Sequence, residues 1–290
     1  MFSLIVATLD RTDELDRLFT SLDAQTYRSF EVLVVDQNRD DRLLALFQRH
    51  QGLTIRHLRS GPGLSRGRNI GLPLATADLI AFPDDDCWYP PQLLASVARW
   101  FADNPQYSGL FTALRDADGK AVGPRWPQSP CEATRHNLVA LGISPNAFLR
   151  RAVTDAVGVF DENIGVGAQT PYQSGEDMDY FLRPLNLGYR MMFDPAFEVH
   201  HPSFHDPARL SQKAYGYALG GAYVLRAHGY SIPYFLWQVC RSLGGAAVSL
   251  LKFDFFNTRI YLLRAAGQLR GYILGPRDLR RFKSYSRDNA

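Results

Sequence analysis

The sequence predicts an α/β fold, with a mostly parallel sheet flanked by helices and a helical extension behind it. Three observations carry that expectation. Short apolar runs rich in β-branched residues alternate with segments whose apolar residues recur at helical spacing, the pattern of βαβ units. The runs are apolar throughout, as strands are when helices cover both faces of a sheet. Thr8, Asp36 and Asp84 each stand just after such a run, at the strand ends where open α/β sheets bind ligands.

In order, Ser3 to Ala7 reads as the first strand. Thr12 follows as an N-cap, with Asp13 and Glu14 in the first turn and Leu15, Leu18, Phe19 and Leu22 on one helical face. Val32 to Val35 is the second strand, and Leu43, Leu44 and Phe47 mark the next helical face. Leu53 to Leu58 is the third strand, Ile70 to Ala75 closes a helix, and Leu79 to Phe82 is the fourth strand. From about 124 to 145 the pattern weakens into loops and short elements. Val153 to Val157, Met178 to Leu187 and Arg209 to Ala227 read as helices. Ile232 to Leu251 is apolar enough in length to span a bilayer, but Arg241 near its middle and the Gly244-Gly245 pair favour an amphipathic segment lying at an interface.

Composition bounds the function. With 290 residues, 46% of them hydrophobic, the chain can bury a sizeable core. The net charge of +3 is uneven: from Lys252 onward nine Lys and Arg face three acids, so that segment is +6 and the rest is −3. A basic tail on a mildly acidic body points to an anionic surface, either membrane or nucleic acid. No aromatic-basic recognition pattern accompanies it, which speaks against nucleic acid and leaves two readings: attachment to an anionic membrane, or a helical hairpin packed on the catalytic domain with its arginines solvated. Cys87, Cys131 and Cys240 are odd in number and widely spaced, and no charged start with an apolar stretch opens the chain. Both features predict a cytoplasmic protein, peripheral on the inner face of the cell membrane if the basic segment binds there.

Four segments carry candidate chemistry. Phe82-Pro83-Asp84-Asp85-Asp86-Cys87-Trp88 places three carboxylates side by side after a buried strand. Their repulsion calls for a cation, and a hard one such as Mn²⁺ or Mg²⁺ keeps positions open for phosphate oxygens. In an extended segment Asp84 and Asp86 face one way and Asp85 the other. Read alone, the triplet is equally an acidic turn. Gly61-Pro62-Gly63-Leu64-Ser65-Arg66-Gly67-Arg68-Asn69-Ile70-Gly71 permits close backbone approach, with Arg66 and Arg68 offering charge-assisted bonds to phosphate. Its plainer alternative is a glycine-rich helix start. Gly175-Glu176-Asp177 supplies carboxylates that could take a proton from a hydroxyl, or simply suit a helix N-terminus. His200-His201, with His205 nearby, offers imidazoles as metal ligands or as solvated loop residues.

Taken in order, these segments resemble the family 2 glycosyltransferases, inverting enzymes with a GT-A fold, over roughly residues 1–205. Ser3 to Thr8 resembles the family's first strand and Glu31 to Asp36 its second, which implies that Asp36 accepts a hydrogen bond from the nucleobase. Arg66 to Gly71 resembles the Arg-Asn-x-Gly helix start, and Phe82 to Asp86 the metal-binding DxD segment, read as Asp84-x-Asp86. Gly158-Val159-Phe160-Asp161-Glu162 resembles the G-x-F-D-E turn, and Gly175-Glu176-Asp177 the ED motif. Pro83 and Cys87 depart from the commoner residues without removing a matched ligand.

The resemblance implies a catalytic domain over 1–207, with a nucleotide-sugar half (1–115) and an acceptor half (116–207), and a helical basic extension over 208–290. It implies Asp177 as general base, supported by Glu176. Metal contacts fall to Asp86, Asp84 and His201. Donor contacts fall to Thr8, Arg11, Asp36, Arg66, Arg68, Asn69, Asp84 and Asp85. The implied partners are a nucleoside-diphosphate sugar, a glycan or lipid-linked acceptor and an anionic membrane, without nucleic acid. A sugar nucleotidyltransferase would need a glycine-rich loop after the first strand, where Thr8-Leu9-Asp10-Arg11 has none. A non-catalytic, membrane-associated nucleotide-sugar-binding protein would have no use for Asp84, Asp86 and Asp177 together.

Overall fold

The computed structural model describes residues 1–123, 126–203 and 207–275, without the side chains of 207–210 and 212. The chain forms two compact units: 1–160 with 180–203, and 161–179 with the C-terminal helices. The expected boundary near 207 thus misses a detail: 161–179 groups with the helices although it lies within the sheet-forming sequence. The expected basic positions Arg277, Arg280, Arg281, Lys283 and Arg287, and His205, lie outside the described residues.

The first unit is built on an eight-stranded sheet. In chain order the strands are β1 (Phe2–Thr8), β2 (Phe30–Asp36), β3 (Ile55–Arg59), β4 (Leu79–Ala81), β5 (Gly109–Arg115), β6 (Cys131–Glu132), β7 (Ala147–Arg150) and β8 (Met191–His200). Their order across the sheet is β3-β2-β1-β4-β7-β5-β8-β6. The first four are parallel, β7 runs antiparallel between β4 and β5, and β5 pairs parallel with β8. The parallel half is the one the sequence describes best. β1 and β2 are buried almost throughout because helices lie on both faces. β3 differs from its expectation: it starts later and is only half-buried, with polar Arg56, His57 and Arg59, because it is the edge strand.

Helix α1 (Asp13–Asp23) buries the expected Leu15, Leu18, Phe19 and Leu22. Thr12 precedes it but its side chain makes no cap hydrogen bond. At α2 (Leu44–Arg49), the preceding Leu43 and Leu46 within the helix are buried and Leu44 points outward, one residue off the expected face. Helix α3 (Leu64–Gly71) lies unusually close to β1. A methyl group on Gly71 would sit 2.5 Å from Ile5 Cγ2, and one on Gly67 2.8 Å from Ala7 Cβ. Two of the four glycines of the expected phosphate loop, Gly67 and Gly71, therefore serve helix-on-strand packing, where an added carbon overpacks. α4 (Leu93–Asp103), α5 (Leu138–Leu141) and α6 (Arg151–Val157) complete the layer.

At the N-terminal end of the strands, buried Glu31 joins three segments. It accepts from Ser3 Oγ at 2.6 Å, and from Thr76 N and Oγ1 at 2.8 and 2.7 Å. Burial pushes its carboxyl up, but these donors outweigh that and hold it below the usual carboxylate value.

Helix α7 (Glu176–Asn186) begins in the second unit and continues in the first. The second unit further holds α8 (Pro207–Ala227), α9 (Ile232–Leu251) and α10 (Phe255–Leu274). α10 lies against α8 at Gly267 and Gly271, where any added carbon would strike the Tyr215 and Leu219 carbonyls. α9 docks on α10 through Phe235, stacked on Tyr272 at 3.9 Å, and Ser242, which bonds Gln268 at 3.0 Å. Among the described residues, no helix is long and apolar enough to cross a membrane.

Candidate active site

The loop after β4 carries Asp84, Asp85 and Asp86, and the end of β8 brings a histidine to it. His200 and Trp88 exchange backbone hydrogen bonds at 2.9 Å in both directions, and His201 N donates to the Arg115 carbonyl at 2.8 Å. The Trp88 ring stacks on the His200 ring at 5.4 Å, and the Arg17 guanidinium lies 4.3 Å over Trp88. Arg17 also donates to the Asp86 carbonyl at 2.7 Å. This strap fixes where His201 enters.

His201 is buried, with Nδ1 2.8 Å from the Pro202 carbonyl. A carbonyl only accepts, so Nδ1 carries the proton in either charge state. Nε2 then faces Asp86 Oδ1 at 3.1 Å and Asp84 Oδ2 at 3.8 Å. One ligand atom from each of Asp84, Asp86 and His201 falls within 4.8 Å of the others. Asp86 Oδ1 is buried, and what faces it is His201 Nε2. A charged ring satisfies that oxygen, whereas a neutral ring with Nδ1–H leaves it needing a cation or a donor from outside. Two carboxylates and a neutral imidazole with a pinned tautomer suit a divalent metal, so these residues fit the group.

The third aspartate has a different task. Asp85 is turned from the pair and takes Arg11 Nη1 at 2.7 Å, while the same guanidinium reaches Asp86 Oδ2 at 2.5 Å. Burial pushes the Asp85 carboxyl up to about 6, against the pull of Arg11. Burial also acts to raise Asp86, but His201 and Arg11 prevail and lower it to about 2. Arg11 thus holds together a triplet that would otherwise repel itself.

Other expected donor contacts are distributed unevenly. Arg68 is buried, 3.3 Å from Asp84 Oδ1 and 5.2 Å over the Phe160 ring. Arg66 is exposed on the same helix. Thr8 is buried at the end of β1. Asn69 departs from its expected role: its amide donates to the Phe160 carbonyl at 2.9 Å and accepts from Phe160 N at 2.8 Å, bracing α3 against the G-x-F-D-E turn.

Asp36 departs most. It is fully buried. One oxygen accepts from Asn38 N and Nδ2 at 2.9 and 2.8 Å, and the other meets His57 Nε2 and Arg59 Nη1 at 2.9 and 3.1 Å. Its acceptor sites are filled from within, so a base would have to displace one of these donors. His57 and Arg59 were legible only as alternate residues of an edge strand, which share a face.

In the second unit, Glu176 and Asp177 open α7. Asp177 is half-buried; Glu176 is buried, and Gly165 leaves room for it. Gly175, at φ +97, abuts Val224 and the Gly220 carbonyl of α8. Two residues past Asp177, buried Asp179 takes buried His228 Nε2 at 2.8 Å. The start of α7 is therefore held by α8 and the residue following it, a clamp the sequence reading did not contain.

Residues 3–161 match the family described as Glycosyl transferase family 2. An uncharacterized glycosyltransferase of Haemophilus influenzae is 25% identical over 64% of this chain and 62% of its own length. The chain thus spans less than two thirds of that relative. The amylovoran biosynthesis glycosyltransferase AmsB of Erwinia amylovora is 31% identical over 69% of each chain. Among solved structures, a mannosyltransferase from Pyrobaculum calidifontis in complex with GDP-Man and Mn²⁺ superposes with a TM-score of 0.60 at 18% identity, over 93% of this chain and 86% of that one. At that identity the likeness shows a shared fold.

Proposed function

The chain belongs to glycosyl transferase family 2, and on that premise we propose that it moves a sugar from a nucleoside-diphosphate sugar to a hydroxyl of a glycan or lipid-linked acceptor, with inversion. The observation that carries the reading is the convergence of one ligand atom each from Asp84, Asp86 and His201 around a buried carboxylate oxygen. Those three residues would hold Mn²⁺ or Mg²⁺, which when bound supplies positive charge for the departing diphosphate. Arg11 keeps Asp85 and Asp86 together, and Arg68 steadies Asp84. Asp177 accepts the proton of the acceptor hydroxyl as that oxygen bonds to the anomeric carbon and the bond to the diphosphate breaks. Glu176 supports the loop that presents Asp177.

A nucleotide-sugar donor is supported by the fold shared with a GDP-Man complex, and a glycan acceptor by the relative named for amylovoran biosynthesis. A thermal-shift panel of UDP, GDP and dTDP sugars with Mn²⁺ identifies the base by ligand-linked stabilisation. The reading expects one nucleotide class to raise Tm in a metal-dependent way; a uniform absence of shift would sink it. With that donor in hand, Asp177→Asn is expected to keep donor affinity and lose transfer by about a hundredfold or more.

A further inference from the structure

The outer face of the α9–α10 hairpin is built unlike a water-facing surface. α9 turns Phe235, Val239, Ser242, Ala246 and Ser249 inward, spaced as one helical face. The opposite side exposes Leu236, Trp237, Leu243, Val248 and Leu251. α10 repeats the arrangement, with Phe255, Leu262, Leu269 and Ile273 exposed along a single stripe. The turn between the helices is the most exposed part: Leu251 and Phe253 are each 80% accessible. Each helix has 20 residues, so the apolar face runs roughly 30 Å at 1.5 Å per residue.

The charges of the hairpin are nearly all of one sign. Arg241, Lys252 and Arg259 are its exposed cations nearest the apolar stripes, whereas Arg270 donates to Tyr215 Oη of α8 and Arg264 lies about half a turn from the α10 stripe. From Ser231 to Gly275 the cations are Arg241, Lys252, Arg259, Arg264 and Arg270, and the single acid is Asp254, giving +4. Asp254 is engaged as the N-cap of α10, accepting from Asn257 N. An ordinary solvated helix mixes both signs. Exposed Arg259 lies within the α10 stripe, one turn from Phe255.

We infer that this face docks on an anionic lipid bilayer, the Leu251–Phe256 turn and the apolar stripes entering the acyl boundary while Arg241, Lys252 and Arg259 reach the headgroups. Long cationic side chains are suited to that depth because their stems are apolar and their ends are wet. An isologous contact with a second copy fits poorly, since it would oppose Arg241, Lys252 and Arg259 with the same cations and bury charge where interface cores are depleted of it. The proposal deepens the transferase reading by naming the surface at which an acceptor is met.

The test is flotation of the full chain with phosphatidylglycerol or phosphatidylcholine vesicles, without donor or metal, so that docking and transfer fail separately. Phosphatidylglycerol vesicles are expected to carry the chain at least about tenfold more than phosphatidylcholine, with partial release at high salt. The double variant Phe253→Asp/Phe255→Asp is expected to reduce flotation about tenfold or more while circular dichroism and Tm stay unchanged, since both side chains are exposed. Arg241→Ser/Arg259→Ser should weaken binding and flatten its salt dependence. Equal flotation of wild type and the Phe double variant overturns the proposal. So does failure to float on either vesicle, whether the chain is monomeric or forms a dimer that the same variant splits.

Discussion

Two carboxylate clusters sit at the C-terminal ends of β2 and β4, parallel strands on either side of β1, and they are in opposite states. At the end of β2, Asp36 meets Asn38, His57 and Arg59, and both its oxygens are filled. At the end of β4, Asp86 shares Arg11 with Asp85 but keeps Oδ1 buried, facing an imidazole nitrogen. Each cluster contains an aspartate, an arginine and a histidine. The difference lies in supply: His57 and Arg59 come from the adjacent strand, in register, and complete Asp36 from inside the sheet. His201 arrives at Asp86 with its donor nitrogen turned to Pro202. The first cluster is a closed structural joint. The second sets three carboxylates against two guanidiniums and one imidazole, and with that imidazole neutral the excess negative charge is what a cation would offset.

The comparison breaks most visibly through Asp36. Asp36→Asn replaces an acceptor by a donor in a closed network and is expected to lower unfolding free energy by about 3 kcal/mol, measured in urea, while metal-linked nucleotide binding persists. If nucleotide affinity falls and stability holds, Asp36 reads the base and the closed description is wrong. Glu31→Gln, at the opposite end of the same strands, is expected to lose about 2 kcal/mol.

Glu31 also adds a pH signature. Its folded carboxyl is held below the ordinary value, so its contribution is full above the unfolded pKa and disappears as pH falls through the folded one. Wild type should therefore lose more stability than Glu31→Gln on acidification below about pH 4.5. Parallel acid limbs would contradict this.

The open cluster should answer in binding instead of stability. Asp86→Asn is expected to weaken Mn²⁺-dependent nucleotide binding at least about tenfold, or roughly 1.4 kcal/mol, by calorimetry with and without metal. Its effect on unfolding should be smaller than that of Asp36→Asn. The smallest effect belongs to the strap: Arg17→Ala removes the guanidinium from Trp88 and is expected to cost under about 1 kcal/mol in stability. A larger loss of metal affinity than of stability in that variant would show that the strap sets His201's position.

Legibility followed the same contrast. The parallel strands were readable because continuous apolar runs are dictated by burial on both faces, and β1, β2 and β4 lie where the runs do. The edge strand β3 was misplaced at its start because half of it is polar. Asp84-x-Asp86 stood out because three adjacent like charges demand an explanation. The roles of Asn69 and of Gly67 and Gly71 were not legible, since a donor-binding amide and a bracing amide look alike in sequence, as do a phosphate loop and a tight helix contact. The Asp179–His228 pair left no sequence signal, being 49 residues apart with no periodic relation.

By itself, the sequence determined the alternation of strands and helices, the position of the acidic triplet behind a buried strand, and a C-terminal region rich in apolar residues and cations. Those are local properties, set by periodicity, by burial and by charge spacing along the chain. Tertiary structure alone decided which carboxylates remain open. Whether an aspartate is satisfied depends on donors delivered from other strands and from turns over a hundred residues away. His201 reaches Asp86 because β8 runs beside β5 and pairs at His200 with Trp88. The same holds at the C-terminus, where only the packing of α9 on α10 separates the apolar residues that are buried from those left facing outward.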